Sequence, residues 1–470
     1  MSRDGERCAD MTKRLACFAA TFALGAALVP AAHAAEKQEP DEPHWSDVLK
    51  DIALGPLRLD IGGSLRLRYE HQDDFNVQRY ADARKSFRSD DFLLQRTRLE
   101  FTLRMPEEAE AFFQLQDARP YGSDFRPDDF NWRLYSCPYS NDIDLRQAYV
   151  EWRHIGGSPF GVKLGRQAIS YADNRVWGPG EWGNVGRYTW DAVKVIADTS
   201  VAEVQGIVAN RVRYDPHGLD ESDGRLDAYG AYAMLKGLPF QLDLFWLAKH
   251  TRPRMVVDAA GATLDLDTHT AGFAVDGKLG RGWDYGATLA GTFGRRNGQD
   301  VEAYGGHARL GYTFDHPWEP RIGAEYSHAS GDPDPADGTF RTFDGAFGGV
   351  DTTKYGWMNF FCWMNVRDYE VTLSVRPVPK VKVSLEHHFF RLDEAKDAWY
   401  WSSGRPARRD ATGNAGADVG QEMDLAVAYD YNKHLKFLAG YSHFFPGRFL
   451  RRTGASPDAD WLFLQVVYSF

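Results

Sequence analysis

Apolar and polar residues alternate along most of this chain with a period of two. In residues 57–70 the odd positions are leucine, isoleucine or tyrosine with one glycine, whereas most even positions are charged. Residues 459–470 repeat the pattern, because every second residue from Leu462 to Phe470 is apolar while Gln465 and Ser469 belong to a mixed face. A period of two is that of a β-strand. The chain is therefore predicted to form strands whose two faces meet different environments.

Runs of this kind recur about eighteen times between residues 57 and 470, and the connections between them alternate between long and short. The short connections include residues 105–106, 198–200, 236–239, 377–379 and 432–433, and the long ones include residues 72–89, 120–141, 330–363 and 393–417. A soluble sandwich has no reason to sort its loops by length onto two ends, whereas a transmembrane barrel has short periplasmic turns and long extracellular loops. We therefore predict an all-β fold, an antiparallel transmembrane β-barrel of about eighteen strands.

The start of the chain predicts export from the cytoplasm. A basic segment, an apolar segment and a small-residue cleavage site that ends at Ala34 follow one another, so residues 1–34 are predicted to be a Sec signal peptide, with Met11 as an alternative start. Residues 35–56 are predicted to form a periplasmic N-terminal segment, with a short amphipathic helix over residues 45–54. The remainder of the chain, residues 57–470, is the predicted barrel, and the predicted location is the bacterial outer membrane.

Composition narrows the class further. After the predicted signal peptide no apolar run approaches the roughly 20 residues that a transmembrane helix needs, which excludes a helical membrane protein. The formal net charge of -11 argues against nucleic-acid binding. Cys137 and Cys362 remain after signal removal, both in predicted loops, and the sequence leaves open whether they pair.

Basic side chains occupy many of the positions predicted to face the lumen. They are Arg66, Arg68, Arg96, Arg98, Lys163, Lys194, Arg309, Arg321 and Lys382. Rings of cationic side chains favour anions in a narrow channel. Acidic residues share the same faces, however, so the alternative for each cation is a cross-strand pair that only stabilises the wall. Strict alternation points Arg166 at lipid, and a bulge at Gly165 would turn it inward.

The long loop over residues 171–188 offers a second kind of site. It places Arg175, Trp177, Trp182 and Arg187 among glycines, which allows a loop to fold back into the lumen. Aromatic faces beside guanidinium groups suit sugar rings that bear carboxylates, so these four residues are candidate sugar contacts. A loop that merely caps and braces the mouth of the barrel is the alternative.

Catalysis, a metal site and a cofactor are not predicted. His387 and His388 are adjacent on a predicted strand, so their rings point to opposite faces and do not form a zinc-binding helix motif. Glu422 and Asp424 share one face, but nothing else in the sequence organises a catalytic cleft around them, and paired wall carboxylates are far commoner.

Several short segments resemble one known family. They lie at residues 144–150 (D-L-R-Q-A-Y-V), 164–167 (L-G-R-Q), 171–173 (Y-A-D), 177–184 (W-G-P-G-E-W-G-N) and 420–425 (G-Q-E-M-D-L). In order and spacing they resemble the alginate-export family of outer-membrane proteins. The resemblance implies a monomeric 18-stranded barrel that passes an anionic polysaccharide through a constriction rich in arginine and lysine. One departure is the turn near Asn432, which is short here but long in the exporter that names the family.

The resemblance leaves the cargo and its direction of travel open. Besides export of an alginate-like polysaccharide, the chain suits a general anion or oligosaccharide porin, or a closed barrel that serves as an adhesin or structural anchor. Expected partners are the anionic saccharide, outer-membrane lipid, the barrel assembly machinery, which reads a terminal aromatic such as Phe470, and periplasmic export proteins. Nucleic acid is not an expected partner.

Overall fold

The structure is a computed structural model, and it describes residues 43–75, 88–129, 137–251, 265–348, 353–402 and 404–470. The predicted signal peptide lies outside these residues. The chain divides into two compact units, residues 1–47 and residues 48–470. In the first unit His44 accepts or donates a hydrogen bond with Ser46 through Nδ1 and Oγ, 2.7 Å apart.

Twenty-two strands occur in the described residues of the second unit. In chain order they are β1 (Ile52–Leu54), β2 (Leu57–Asp73), β3 (Ser89–Met105), β4 (Ala109–Tyr121), β5 (Asn141–Trp152), β6 (Phe160–Gln167), β7 (Trp190–Asp198), β8 (Ala202–Arg213), β9 (Glu221–Leu235), β10 (Gln241–Thr251), β11 (Leu266–Lys278), β12 (Trp283–Arg296), β13 (Gln299–Thr313), β14 (Arg321–Ala329), β15 (Thr339–Phe340), β16 (Val366–Val378), β17 (Val381–Arg391), β18 (Ala398–Tyr400), β19 (Pro406–Arg409), β20 (Asp418–Asp430), β21 (Leu435–Pro446) and β22 (Ala459–Ser469).

Eighteen of these strands form one closed antiparallel barrel, and the four short strands β1, β15, β18 and β19 are accessory to it. Closure occurs where β22 pairs with β2, from Ser469 opposite Ser64 to Asp460 opposite Asp73. The last residue takes part, since the Phe470 amide donates to the Gly63 carbonyl at 3.0 Å. The predicted fold is confirmed.

The two faces of the barrel strands differ as the alternation predicts. Large apolar side chains are exposed on the outer face, among them Leu164, Leu310 and Leu464, which are 57%, 45% and 50% exposed. On β22 the inward residues Trp461 and Phe463 are buried. Among the described residues, no helix combines the length and apolar character needed to cross a membrane.

The predicted amphipathic helix over residues 45–54 is wrong beyond its first turn. A 3₁₀ helix spans Trp45–Leu49, and the backbone then turns at Asp51, whose φ is 54°. The following β1 strand pairs with the start of β2, with Ile52 opposite Leu59. Pairing with a free strand edge satisfies the backbone groups of this segment better than a frayed helix end does.

The connections follow the predicted alternation of length. Tight turns include residues 199–201, 379–380 and 431–434, whereas residues 168–189, 330–365 and 392–417 form long connections. A short helix, α1 (Arg448–Thr453), lies in the loop before β22. Two of the long loops enter the barrel, since Trp177 and Phe347 form a backbone bridge and belong to one buried cluster with Trp461. Cys137, in the connection before β5, and Cys362, in the connection before β16, are buried free thiols.

Candidate functional site

Five arginines project into the lumen from three strands on one side of the barrel. Arg66 and Arg68 lie on β2, Arg96 and Arg98 on β3, and Arg146 on β5. Arg66 stands directly opposite Arg96 in the strand register. Like charges placed opposite each other destabilise a sheet, so this group, here called the arginine wall, requires acceptors in front of it.

The loop over residues 168–189, which enters the barrel, supplies one carboxylate that three of these arginines share. Glu181 Oε2 accepts from Arg98 at 2.6 Å and from Arg96 at 3.2 Å, while Oε1 accepts from Arg146 at 2.6 Å. Burial alone would raise the pKa of the Glu181 carboxyl, but the three guanidinium groups outweigh it and hold the pKa well below its usual range. Glu181 is therefore an ionised carboxylate in a site built from arginine.

Backbone carbonyls of the same loop accept further hydrogen bonds from the guanidinium groups. Arg66 donates to the Gly183 carbonyl at 2.8 Å, Arg68 to the Trp182 carbonyl at 3.0 Å, and Arg146 to the Val185 carbonyl at 3.0 Å. The Arg68 guanidinium also lies 4.8 Å from the centre of the Trp182 ring. Residues 181–185, here called the plug segment, thus cover the arginine wall.

Buried aromatic packing holds the base of the same loop. Trp177 is fully buried and packs on Trp190 and Phe347, with ring centres 5.4 and 4.6 Å away. Arg175 is buried as well, where it donates to Ser327 and Tyr355, each at 3.0 Å. In this structure the surfaces of Arg175 and Trp177 are already used within the protein, and their contact with sugar stays a prediction.

The other two predicted sugar contacts stay partly accessible. Trp182 is half-buried, and its ring lies 5.3 Å from that of Trp357 and 6.0 Å from that of Trp461. Arg187 is half-buried too, with its guanidinium 5.5 Å from the Tyr188 ring. These two residues stay candidates for contact with a solute.

The remaining predicted lumen cations are mostly paired across strands, away from the plug segment. Lys163 lies 3.1 Å from Glu151, and Arg321 lies 2.8 Å from Asp284. Arg309 pairs with Asp276 and Asp284. Lys194 lies 3.5 Å from the Tyr171 hydroxyl, and Lys382 is exposed. Arg309, Arg321 and Lys163 are thus paired with acids of other strands, which is the arrangement expected of residues that stabilise the wall.

Arg166 does not turn inward through a bulge at Gly165. The pairing of β6 with both neighbours continues without a shift through this position, so Arg166 keeps the parity of the lipid-facing Leu164. It is held by Asp191, at 2.8 Å, and by the Asp220 carbonyl, at 3.1 Å. The inward prediction is wrong because an acid on the adjacent strand satisfies the guanidinium where alternation places it.

The bulge occurs on the neighbouring strand instead, and it explains why Arg146 was missed. Gln147 pairs with Gln114 and Leu145 with Leu115, which leaves Arg146 as an extra residue in β5. Strict alternation would give Arg146 the outward parity of Val150, and the bulge reverses it. The only signal in the sequence was its place in the D-L-R-Q segment. Sequence reasoning also missed Glu181, in the W-G-P-G-E-W-G-N segment, as the carboxylate that the arginines bind.

A second, acidic group lines the lumen on the far side of β21 and β22. It consists of Asp368 and Glu370 on β16, Glu386 with His388 on β17, and Glu422 and Asp424 on β20, and is here called the acidic wall. The loop before β16 covers it, since the Trp357 indole donates to Glu386 and the Met358 amide to Glu422, each at 2.7 Å. Aromatic rings of Trp182, Trp357, Trp461 and Phe463 separate the two walls.

Comparison with known proteins agrees with this architecture. The alginate export family model matches residues 57–461. No curated protein matches the chain. Among solved structures, Pseudomonas aeruginosa OpdK with vanillate is 13% identical, with a TM-score of 0.57, over 87% of this chain and 98% of that one. Acinetobacter baumannii OccAB2 is 11% identical, with a TM-score of 0.56, over 87% and 98%.

A BenF-like porin from Pseudomonas fluorescens Pf-5 is similar to the same degree, at 11% identity and a TM-score of 0.56 over 88% of this chain and 98% of that one. At such low identities the structural likeness shows the fold alone. The family match, by contrast, covers most of the sequence. The chain therefore belongs to the alginate export family, and it is a β-barrel channel of the bacterial outer membrane.

Proposed function

We propose that the channel passes anionic, carboxylate-bearing saccharides, and that the arginine wall is the site they occupy in transit. The observation that carries the proposal is the convergence of three guanidinium groups on the single Glu181 carboxylate, at 2.6 to 3.2 Å. Planar guanidinium groups match carboxylate geometry, and several of them around one carboxylate select that group over neutral solutes. Glu181 thus occupies the position that a uronate carboxylate would take.

The charge of the wall favours replacement of Glu181 by a solute. Among the described residues, five guanidinium groups face fewer carboxylates, because Glu70 pairs with Arg68 at 2.8 Å while the acceptors of Arg66 are carbonyl and amide oxygens. The excess positive charge attracts anions into this part of the lumen. The Glu181 side chain is 38% exposed, so a solute can reach it.

The plug segment also offers a surface for the sugar ring. Trp182 is half-buried beside Arg68. The apolar face of its ring and the Arg68 cation are therefore close enough to contact the same sugar residue. Aromatic rings stack on the C–H faces of sugars, while guanidinium binds the carboxylate. One similar structure, OpdK, is described with vanillate, which is also a carboxylate.

The experiment is planar-bilayer conductance of the purified protein with oligouronates or neutral oligosaccharides added from either side. We expect an anion-biased current that oligouronates block and neutral sugars of equal length do not. Arg98→Gln should weaken the block about tenfold, the equivalent of roughly 1.4 kcal/mol. Arg309→Gln is the matched control, because Arg309 also faces the lumen but pairs with Asp276 and Asp284.

Two results would contradict the proposal. Equal block by neutral and acidic sugars would indicate an unselective porin. A silent bilayer, with a folded barrel and with Glu181→Gln equally silent, would indicate a closed barrel that serves as an anchor or adhesin.

A further inference from the structure

The acidic wall contains more negative charge than the described protein groups around it neutralise. Its five carboxyl groups lie on three adjacent strands, where Glu370 and Glu422 both stand opposite His388, and Glu386 stands opposite Asp424. In the part of the chain that the structure describes, Asp368 lies 2.9 Å from His388, and no lysine or arginine pairs with any of the five carboxyl groups. Such a cluster requires protons or a bound cation.

His388 is oriented as a metal ligand is. Its side chain is fully buried, and Nδ1 lies 2.9 Å from Asp368 Oδ2. With Nδ1–H donated to this carboxylate, Nε2 carries the free lone pair, and Nε2 has no hydrogen-bond partner among the described residues. A histidine held by a carboxylate at one nitrogen, with the other nitrogen free, is the usual outer-shell arrangement of a metal-ligating histidine.

Two carboxylates complete the set. Glu370, Glu386 and His388 each bring a ligand atom to within 4.8 Å of the others. Glu370 accepts from the Thr372 hydroxyl at 2.7 Å through Oε1, and Glu386 accepts from the Trp357 indole through Oε2, so each retains a second oxygen. Both carboxylates are half-buried, so an ion in the lumen can reach them.

We propose that Glu370, Glu386 and His388 bind a divalent transition-metal ion of the Zn²⁺ class, with Asp368 as the residue that orients the imidazole. One imidazole with two carboxylates suits Zn²⁺ and its neighbours, whereas Ca²⁺ and Mg²⁺ prefer all-oxygen sites. Three protein ligands leave a position open to water or a solute carboxylate. The proposal does not depend on the saccharide function, because it rests on the other wall of the lumen.

Sequence alternation already indicated that His387 and His388 point to opposite faces, which argued against a paired histidine site. The inward histidine instead meets its co-ligands across the sheet. Glu370 stands opposite it on β16, and Glu386 lies two residues before it on β17. Neither relation forms a local sequence motif, which is why the sequence predicted no metal.

The test is binding of Co²⁺ and Zn²⁺ to the full-length protein purified in detergent. We expect one equivalent of Co²⁺, with visible absorption that Zn²⁺ abolishes and Ca²⁺ does not. His388→Ala should lose this binding, and Asp368→Asn should weaken it about 10–100-fold, as loss of an outer-shell partner does. His387→Ala is the matched control, because the same residue type on the same strand faces outward beside Gln421.

Heat-dependent gel mobility reports whether each variant has folded as a barrel. If His388→Ala does not fold, Glu386→Gln replaces it in the same assay. The proposal is overturned if the wild-type protein binds no Co²⁺ or Zn²⁺, since the acidic wall is then neutralised by protons alone. It is overturned equally if folded His388→Ala or Glu386→Gln binds as tightly as the wild type.

Discussion

Among single residues, Gly186, directly after the plug segment, lies in close contact with Arg146 of the arginine wall. Its φ is +87°, and a Cβ placed there would lie 2.6 Å from Arg146 Nη2. Gly298 has a similar φ of +80° but no atom within 4 Å of the same position. The two glycines therefore separate backbone strain from the contact with arginine.

We predict that Gly186→Ala displaces the plug segment, whereas Gly298→Ala only adds backbone strain of about 1 kcal/mol. The measurement is limited proteolysis within residues 168–189, together with thermal unfolding in detergent. Equal protection of this loop in both variants would show that the Arg146 contact does not hold it.

Asp220 introduces a pH dependence at the external rim. It lies beside Asp144 and accepts from Asn141 Nδ2 at 3.1 Å, and burial followed by the neighbouring carboxylate raises its pKa from 3.8 to about 7. A carboxyl with a raised pKa in the folded state binds more protons when folded, so its contribution favours folding at low pH. That contribution is lost as pH rises from about 4 to 7.

We predict that Asp220→Asn flattens the fall in stability between pH 4 and pH 7 in unfolding measurements. Asp410→Asn serves as the control, because Asp410 is a loop carboxylate whose pKa is lowered by hydrogen bonds from Thr412 and Ala415. An unchanged slope in Asp220→Asn would show that Asp220 ionises normally in the folded barrel.

At the scale of elements, two long loops meet inside the barrel at several places, and one of these contacts is a pair of rings. Trp182 of the first loop and Trp357 of the second pack edge to face, with centres 5.3 Å apart, and both contact Phe463 of β22. Edge-to-face pairs of this kind contribute about 0.5–1.5 kcal/mol beyond the area that they bury. The loops should therefore be coupled energetically.

We predict that a double-mutant cycle with Trp182→Ala and Trp357→Ala gives a coupling energy of about 1 kcal/mol in equilibrium unfolding. The same cycle with Trp182→Ala and Trp283→Ala should give none, since Trp283 packs on Tyr312 elsewhere in the barrel. A zero value for the first cycle would mean that this ring pair does not couple the two loops, which would leave the Trp177–Phe347 bridge as their connection.

The sequence predicted elements better than it predicted the site. Period-two alternation is a local property, and it was sufficient for eighteen strands and for the alternation of loop lengths. The site depends on contacts between residues far apart in the chain, such as Arg66 with Gly183. Alternation cannot anticipate a bulge such as the one at Arg146, and it does not show which loop fills the lumen.

For the molecule as a whole, the two cysteines report on the integrity of the loops. Cys137 and Cys362 are 2% and 1% exposed, and burial raises the pKa of the Cys137 thiol to about 11. A buried, protonated thiol reacts slowly with electrophiles, because the thiolate is the reactive form.

We predict that maleimide labels neither cysteine in the folded barrel near neutral pH, and that it labels both after heating in detergent without a reductant. Peptide masses that contain Cys137 and Cys362 identify the labelled thiols. Recovery of the two as a disulfide-linked peptide would contradict the free thiols of the structure.

The pairing of β22 with β2 closes the barrel between residues about four hundred positions apart in the chain, from Ser64 with Ser469 onward. Contacts at such separation form slowly, because the loop entropy must be lost before any pairing energy is gained. Until then the edges of β2 and β22 present unpaired backbone groups that can bind another chain. The chain is therefore most prone to aggregation in the interval before its first and last barrel strands pair. A factor that covers those two edges during this interval would raise the yield of folded channel.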